Sequence, residues 1–364
     1  MRSVGVEEEL LLVDRESGEP RAMSHAVMAV AARGADEDDV FEAELHREQL
    51  EFATRPHEKM VDLAQDIASW RRTAADHAER LGGAAAALAT SPLPVNPTVG
   101  SGTRHQWLAE EFGLTTQEQL TCGCHVHVFV ESDEEGVGVL NRIRPWLPVL
   151  VALSANSPFW QGKDSGYSSY RNRVWGRWPS AGPVELFDDA AAYHRQVEGM
   201  VETGVLRDKG MVYFDARLSA AHPTVEVRVA DVCLEPSTTV LLAMLVRGLV
   251  ETAARAWRAG EPPAEHPVAL LRLATWRASR SGLDDQLVSP ELMRPVPARS
   301  AVDSLLAHVR PALEDAGDFE EASALASRLL RDGNGTRLQR EAFRRTGSLR
   351  DVVAECVRRT HSGV

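Results

Sequence analysis

Apolar and polar positions set the framework of the chain from its first residues. In Val4-Gly5-Val6-Glu7-Glu8-Glu9-Leu10-Leu11-Leu12-Val13, three successive carboxylates sit inside an apolar run. Side chains on a strand alternate faces, so Glu7 and Glu9 point one way and Glu8 the other, with Val4, Val6, Leu10 and Leu12. Asp14-Arg15-Glu16-Ser17-Gly18-Glu19-Pro20 reads as a turn, residues 25–33 as a short helix and Asp36-Glu37-Asp38-Asp39 as a solvated loop. Residues 40–54 form a second extended region that Pro56 ends. Met60, Leu63, Ile67, Trp70 and Ala74 then recur at helical spacing. Gly82-Gly83 interrupts that helix ahead of an Ala84–Leu88 run, and loops follow at 91–97 and 100–103.

Residues 120–130 read as a strand. Asp133-Glu134-Glu135 opens a helix through its acidic first turn, kinked at Pro145 and Pro148. Residues 156–182 are long, polar and arginine-rich with little periodicity, and loops of that length are often functional. A helix is predicted over 188–203, then a hairpin of runs 211–219 and 224–232 about His222-Pro223. From Pro236 onward the pattern is helical: 240–257, 268–279, 298–316, 320–331 and 349–360. Strands and helices do not alternate regularly, which argues against a doubly wound sheet. The expectation is an α+β fold, an antiparallel sheet backed by helices. The sheet core falls in about residues 1–235 and a mostly helical part in 236–364 of one domain.

Composition narrows the function. The 364 residues are 44% apolar, enough for a sizeable core, and carry a net charge of −13. An acidic chain is a poor default partner for nucleic acid or an anionic membrane. Four cysteines, Cys122, Cys124, Cys233 and Cys356, are too few for a disulfide framework and point to a reducing compartment. The N-terminus enters a strand with no basic-then-apolar segment, and the apolar stretches read as too short or too interrupted by charge to span a bilayer. A cytoplasmic protein is expected. Lysine is limited to Lys59, Lys163 and Lys209, so arginine carries the positive charge.

Five stretches could carry chemistry. Glu7 and Glu9 on one face of a central strand repel unless a cation lies between them; an edge strand with solvated glutamates satisfies the same pattern. Glu44 and Glu51 each adjoin apolar residues but differ in parity, so they share a site only if the chain bends near His46-Arg47. Thr121-Cys122-Gly123-Cys124-His125-Val126-His127 resembles a zinc motif, yet on a strand His125 and His127 share one face and the cysteines the other. Glu226 and Arg228 share the charged face of Thr224-Val225-Glu226-Val227-Arg228, which an ordinary cross-strand ion pair would also explain. In Tyr167-Ser168-Ser169-Tyr170-Arg171-Asn172-Arg173-Val174-Trp175-Gly176-Arg177-Trp178, arginines alternate with aromatics, materials that suit phosphate and a purine face. Neither a Walker sequence nor a G-x-S-x-G elbow is present. Carboxylates with a histidine favour Mg²⁺ or Mn²⁺ over zinc, and cations with arginines fit phosphoryl chemistry.

Taken in order, Gly5-Val6-Glu7-Glu8-Glu9-Leu10, Gln49-Leu50-Glu51-Phe52-Ala53-Thr54, Gly123-Cys124-His125-Val126-His127-Val128, Tyr170-Arg171-Asn172-Arg173, Val225-Glu226-Val227-Arg228 and Asp332-Gly333-Asn334-Gly335-Thr336-Arg337-Leu338-Gln339-Arg340 resemble the carboxylate–amine ligase family. This is also called the glutamate–cysteine ligase type 2 family, within the glutamine synthetase-like fold. The resemblance implies a sheet curved around ATP and divalent metal. It implies metal ligation by Glu7, Glu9, Glu44, Glu51, His125 and Glu226, and phosphate contacts from Arg228, Arg171 and Arg173, the first two catalytic. The implied reaction forms an acyl phosphate from a substrate carboxylate and ATP, which an amine then converts to an amide. Glutamate and cysteine are the family's namesake substrates. A homodimer would be ordinary for an enzyme of this size. Two alternatives stay open: a zinc hydrolase built on Cys122, Cys124, His125 and His127, and a non-catalytic nucleotide-binding protein. Glu8, on the packed face, has no role in any of these readings.

Overall fold

The structure, a computed structural model, describes residues 1–32 and 41–361. The predicted acidic loop at Asp36–Asp39 lies outside them. Six strands form one antiparallel sheet: β1 (Val4–Asp14), β2 (Gln49–Ala53), β3 (Gly83–Ala86), β4 (Gly123–Phe129), β5 (Ala216–Leu218) and β6 (Thr224–Asp231). Their order is β2-β1-β4-β6-β5, with β3 paired to the far end of β1. The expected α+β class with an antiparallel sheet backed by helices is what the chain forms, and the carboxylate-bearing β1 is central.

One face of the sheet is apolar. Val4, Val6, Cys124, Val126 and Val128 pack there against Leu63 and Ile67 of helix Met60–Glu79 and against helices Asp133–Ile143, Leu147–Ser154 and Pro236–Arg258. Burying these rows of valine and leucine is the main force holding helices to sheet. Helix Pro236–Arg258 is long and apolar enough to cross a membrane by length and composition, against the sequence expectation, but 78% of that window is buried inside the protein. It is the central core helix here.

Glu8 points into this apolar layer as parity requires. Arg71, from helix Met60–Glu79, meets both its oxygens at 2.7 Å, and the Thr239 hydroxyl donates to Oε1 at 2.6 Å. Both charged side chains are wholly enclosed. The remaining guanidinium protons go to the carbonyls of Cys233, Leu234 and Thr360, so the buried cation is fully used.

Several boundaries differ from the pattern reading. The alanine-rich run after Gly83 is the strand β3, whose small side chains admit helices Met60–Glu79 and Leu349–Thr360 at close range. The proline-kinked helix is two helices, because Pro148 sits in the first turn of the second. The region 156–182 contains a small hairpin (Phe159–Trp160 with Lys163–Asp164) and helix Tyr170–Trp175. Helix Thr103–Phe112 was not foreseen: it buries only Leu108 and so lacks an apolar stripe.

Candidate active site

The polar face of the sheet carries the site, and cross-strand pairing assembles it in three rows. Glu51 on β2 lies opposite Glu9 on β1, whose Oε2 accepts the Gly123 backbone N–H on β4 at 2.8 Å. Glu7 lies opposite His125. In the third row Gly5 faces His127, His127 faces Glu226 on β6, and Glu226 faces Arg217 on β5. Directly opposite residues in antiparallel strands are near neighbours, so residues distant in sequence meet without a loop to position them.

Two departures from regularity complete the rows. Between Cys124 and Val126 the register shifts, so that His125 alone faces Arg228 and Val229. This bulge puts Asp231, of opposite parity, on the same side as Glu226 and Arg228. The second departure is the bend expected near His46-Arg47. The chain turns back there, Glu42 and Glu51 exchange backbone hydrogen bonds, and Glu44 returns over Glu51.

These side chains enclose a cavity of about 400 Å³ lined by Glu7, Glu9, Glu44, Glu51, His125 and Arg228, among others. Three sets of ligand atoms lie within 4.8 Å of one another: Glu7, Glu51 and His125; Glu7, His127 and Glu226; Glu9, Glu44 and Glu51. Among the described residues no such set contains a cysteine. Cys122 and Cys124 are buried in the apolar layers on the other face, which removes the zinc site imagined for Cys122, Cys124, His125 and His127.

The electrostatics fit a site made for cations. Burial and the neighbouring Glu44 charge push Glu9 up to about 7, and the same causes raise Glu51 well above the usual carboxylate range. Burial also disfavours charge on Glu7, but hydrogen bonds from His125 and His127 outweigh it and hold Glu7 low. His125 is driven down to about 4 by burial and by Arg228, so its ring is neutral at neutral pH. Its Nδ1 meets Glu7 at 3.0 Å, while Nε2 is buried with no hydrogen-bond partner. An orphaned imidazole nitrogen among crowded carboxylates suits an oxygen-preferring divalent cation.

The arginines separate into groups that sequence proximity had merged. Arg228 lines the cavity and pairs with Glu226, as does Arg217, which is 2.7 Å from the same carboxylate. Arg171 is only 1% exposed and sits below Trp175, 5.4 Å from the ring centroid. Its charge offsets Glu9 and Asp231. Arg173 does not reach this cavity; it lines a neighbouring pocket, a correction to its grouping with Arg171 and Arg228. Arg104, His105 and Arg217 line the cavity and were missed. The first two come from the unforeseen helix and the third from a three-residue strand, too short to show alternation.

The C-terminal Asn334–Arg340 stretch has a positional role. Gln339 donates to the Asn156 carbonyl and side-chain oxygens, the Thr336 hydroxyl meets the Ser168 carbonyl, and Arg340 pairs with Asp164. Asn156, Ser157 and Ser169 in turn donate to the Asp231 carboxylate. The tail thus clamps the segment that carries Arg171 against the sheet.

Comparison with known proteins places this arrangement. The sequence profile of glutamate–cysteine ligase family 2 matches residues 3–355. A Streptomyces avermitilis protein with the provisional name glutamate–cysteine ligase 2-1 is 63% identical over 360 residues, 99% of each chain. A Streptomyces coelicolor protein with the provisional name glutamate–cysteine ligase 2 is 62% identical over 362 residues and the whole of both chains. Among solved structures, the Francisella tularensis glutamate–cysteine ligase in complex with AMP superposes with a TM-score of 0.68 at 14% identity, covering 100% of this chain and 89% of that one. The Pup ligase PafA, in complex with Pup, gives 0.54 at 15% identity over 98% and 72%. At such identities the structural likeness establishes the fold, and the sequence match establishes the kinship: the chain belongs to glutamate–cysteine ligase family 2.

Proposed function

We propose that the acid-lined cavity joins a carboxylate substrate to an amine, with ATP converted to ADP and phosphate. The enzyme is an ATP-dependent carboxylate–amine ligase. The observation that carries the site assignment is that two overlapping ligand sets, Glu7 with Glu51 and His125 and Glu9 with Glu44 and Glu51, line one cavity with Arg228 and Arg217, while a third, Glu7 with His127 and Glu226, adjoins it through Glu7.

Glu7, Glu9, Glu44, Glu51, His125 and Glu226 would hold Mg²⁺ or Mn²⁺, and His127 belongs with them. Such ions, when bound, neutralise triphosphate charge and favour transfer of the γ-phosphoryl group. A substrate carboxylate oxygen attacks the γ-phosphorus, the bond to the bridging oxygen breaks and ADP leaves. The amine then attacks the acyl carbon, phosphate departs with the former carboxylate oxygen, and the nitrogen gives up a proton. Arg228, fixed by Glu226, faces the cavity and stabilises the transferring charge. Arg171 acts from beneath, offsetting part of the cost of charge on Glu9 and packing against Trp175. No protein nucleophile takes part, and the cysteines are packing residues. Glutamate and cysteine are the first substrates to try, given the names of the relatives. The four free, buried thiols accord with a reducing, cytoplasmic setting.

The test is phosphate release from ATP and Mg²⁺ with each of a panel of carboxylates and amines, singly and paired, with hydroxylamine as a small trap for the acyl phosphate. Release that needs both substrates, with amide product by mass spectrometry, is the expected result. ATP binding that is unchanged in E51Q and E226Q, with no turnover for any pair, would instead identify a non-catalytic nucleotide-binding protein.

A further inference from the structure

A second pocket of about 380 Å³ adjoins the cavity and shares Trp175 and Trp178 with it. Helix Tyr170–Trp175 contributes Arg173 to its lining, and helix Val268–Ser281 contributes Arg272 and Trp276. Asp215 also lines it, immediately before β5, and its carbonyl accepts the Arg228 backbone N–H at 3.0 Å. The pocket therefore lies one strand across from the arginine that faces the phosphoryl site.

Two cations of this lining have no partner. The guanidinium groups of Arg173, half-buried, and Arg272, exposed, make no hydrogen bond or ion pair among the described residues. Arg177, the third arginine of the lining, is already taken by Glu118 at 2.6 Å. Asp215 is the one acid of the lining, and its carboxylate is likewise unpaired among the described residues. Burial, which the Arg272 charge opposes only in part, raises it to about 7, so it is partly protonated at neutral pH. The indole N–H of Trp178, in the wall shared with the cavity, is buried with no acceptor. Two arginines against one half-ionised acid leave the pocket positive in a chain whose net charge is −13. A carboxylate fills one arginine fork, whereas a phosphate has oxygens enough for two forks and a further donor. The acid selects among such anions. Hydrogen phosphate carries a hydroxyl that can donate to an ionised carboxylate; sulfate carries none and meets a like charge unless the carboxyl is first protonated.

We infer that this pocket is a second phosphate site, separate from the acid-lined cavity, in which Arg173 and Arg272 hold a phosphate group whose hydroxyl donates to Asp215. Two sources present that chemistry: the inorganic ion that the reaction releases next door, and the phosphate of a monoester. The site itself does not depend on the ligase reading; only the first source does. The assignment also explains why Arg173, two residues from Arg171 on one helical turn, faces a different space.

The test titrates inorganic phosphate, sulfate and glycerol 3-phosphate at pH 8 into the full chain, freed of metal ions with EDTA and without nucleotide. Calorimetry and tryptophan fluorescence read the binding, with circular dichroism to confirm that each variant is folded. R173Q and R272Q are each expected to weaken phosphate about tenfold, with R173K recovering part of the loss. Sulfate should bind the natural protein at least about tenfold more weakly than phosphate, and D215N should remove that preference. Tighter binding of glycerol 3-phosphate supports the site with a monoester as its ligand. Tighter binding of the free ion supports it with the released product, and phosphate inhibition of turnover should then be relieved about tenfold in R173Q and R272Q at unchanged KM for ATP. Phosphate affinity that is the same in folded R173Q and R272Q as in the natural protein overturns the assignment. So does sulfate bound as tightly as phosphate by the natural protein, and so does the absence of phosphate binding. Each of these failures leaves the ligase reading standing, because amide formation is measured apart from them.

Discussion

The Arg171 guanidinium occupies the space in which a side chain on Gly123 would begin. The glycine is needed for that close approach, since its neighbours on β4 are ordinary strand residues. G123A must displace a fully buried cation that offsets Glu9 and Asp231. The expected outcome is a stability loss of about 1–3 kcal/mol in denaturant unfolding and a clear fall in ligase turnover. Unchanged turnover would mean that Arg171 has no part in arranging the site.

E51Q removes one of three crowded carboxylates while its amide can still hydrogen-bond Glu44. Metal-free E51Q is expected to melt roughly 2–4 °C higher than the natural protein, because folding no longer has to hold a buried carboxyl protonated beside Glu44 and Glu9. Turnover with Mg²⁺ should fall about a hundredfold or more. Calorimetry and a phosphate-release assay read the two effects, and a lower melting point would contradict the electrostatic account.

The same crowding sets a pH dependence. Glu9 and Glu51 bind protons more tightly folded than unfolded, so folding is favoured while they are protonated and loses that advantage as they ionise. His125, with its lowered folded value, acts in the opposite sense, but only below its unfolded pKa of about 6.5. Above that pH the carboxylates dominate. Metal-free protein should lose stability from about pH 6.5 to 8, and the gain in melting temperature on adding Mg²⁺ should grow over the same range. A gain independent of pH would show that the ion binds elsewhere.

On the opposite face of β1, removing one member of the Glu8–Arg71 pair leaves an enclosed charge. R71M and E8Q should each cost about 3–5 kcal/mol, while the double replacement E8L/R71M costs less than either. Urea unfolding of the three variants measures this; additive losses would show that the pair is not coupled.

Much of this site was legible because strands obey parity. Alternation alone put Glu7 and Glu9 on one face of their strand and the two histidines on one face of theirs, and turned Cys122 and Cys124 away from the histidines; the pairing of β1 with β4 then brought the two faces together. The mismatch of Glu44 and Glu51 correctly demanded a bend. What alternation could not show depends on partners. The bulge opposite His125 exists only in the register of two strands, so Asp231 gave no sign of joining the site. Arg71 is remote in sequence from Glu8 and looks like one more polar position on a helix. Arg173 was grouped with Arg171 because they are near in sequence, whereas a helix turns residues two apart toward different sides.

Glu7 and Glu9 make the polar face of β1 nearly self-similar under a two-residue slide, which keeps every side chain on its own face. Such a slip would still offer the cavity a carboxylate, so the metal ligands by themselves discriminate weakly between alignments. Arg71 breaks the degeneracy: a slide by two residues puts Val6 or Leu10 in the place of Glu8 and leaves the guanidinium stranded in hydrocarbon. The enclosed pair thus works as a registration pin for the catalytic edge, and variants that weaken it should yield misaligned, slowly folding chains rather than merely less stable ones.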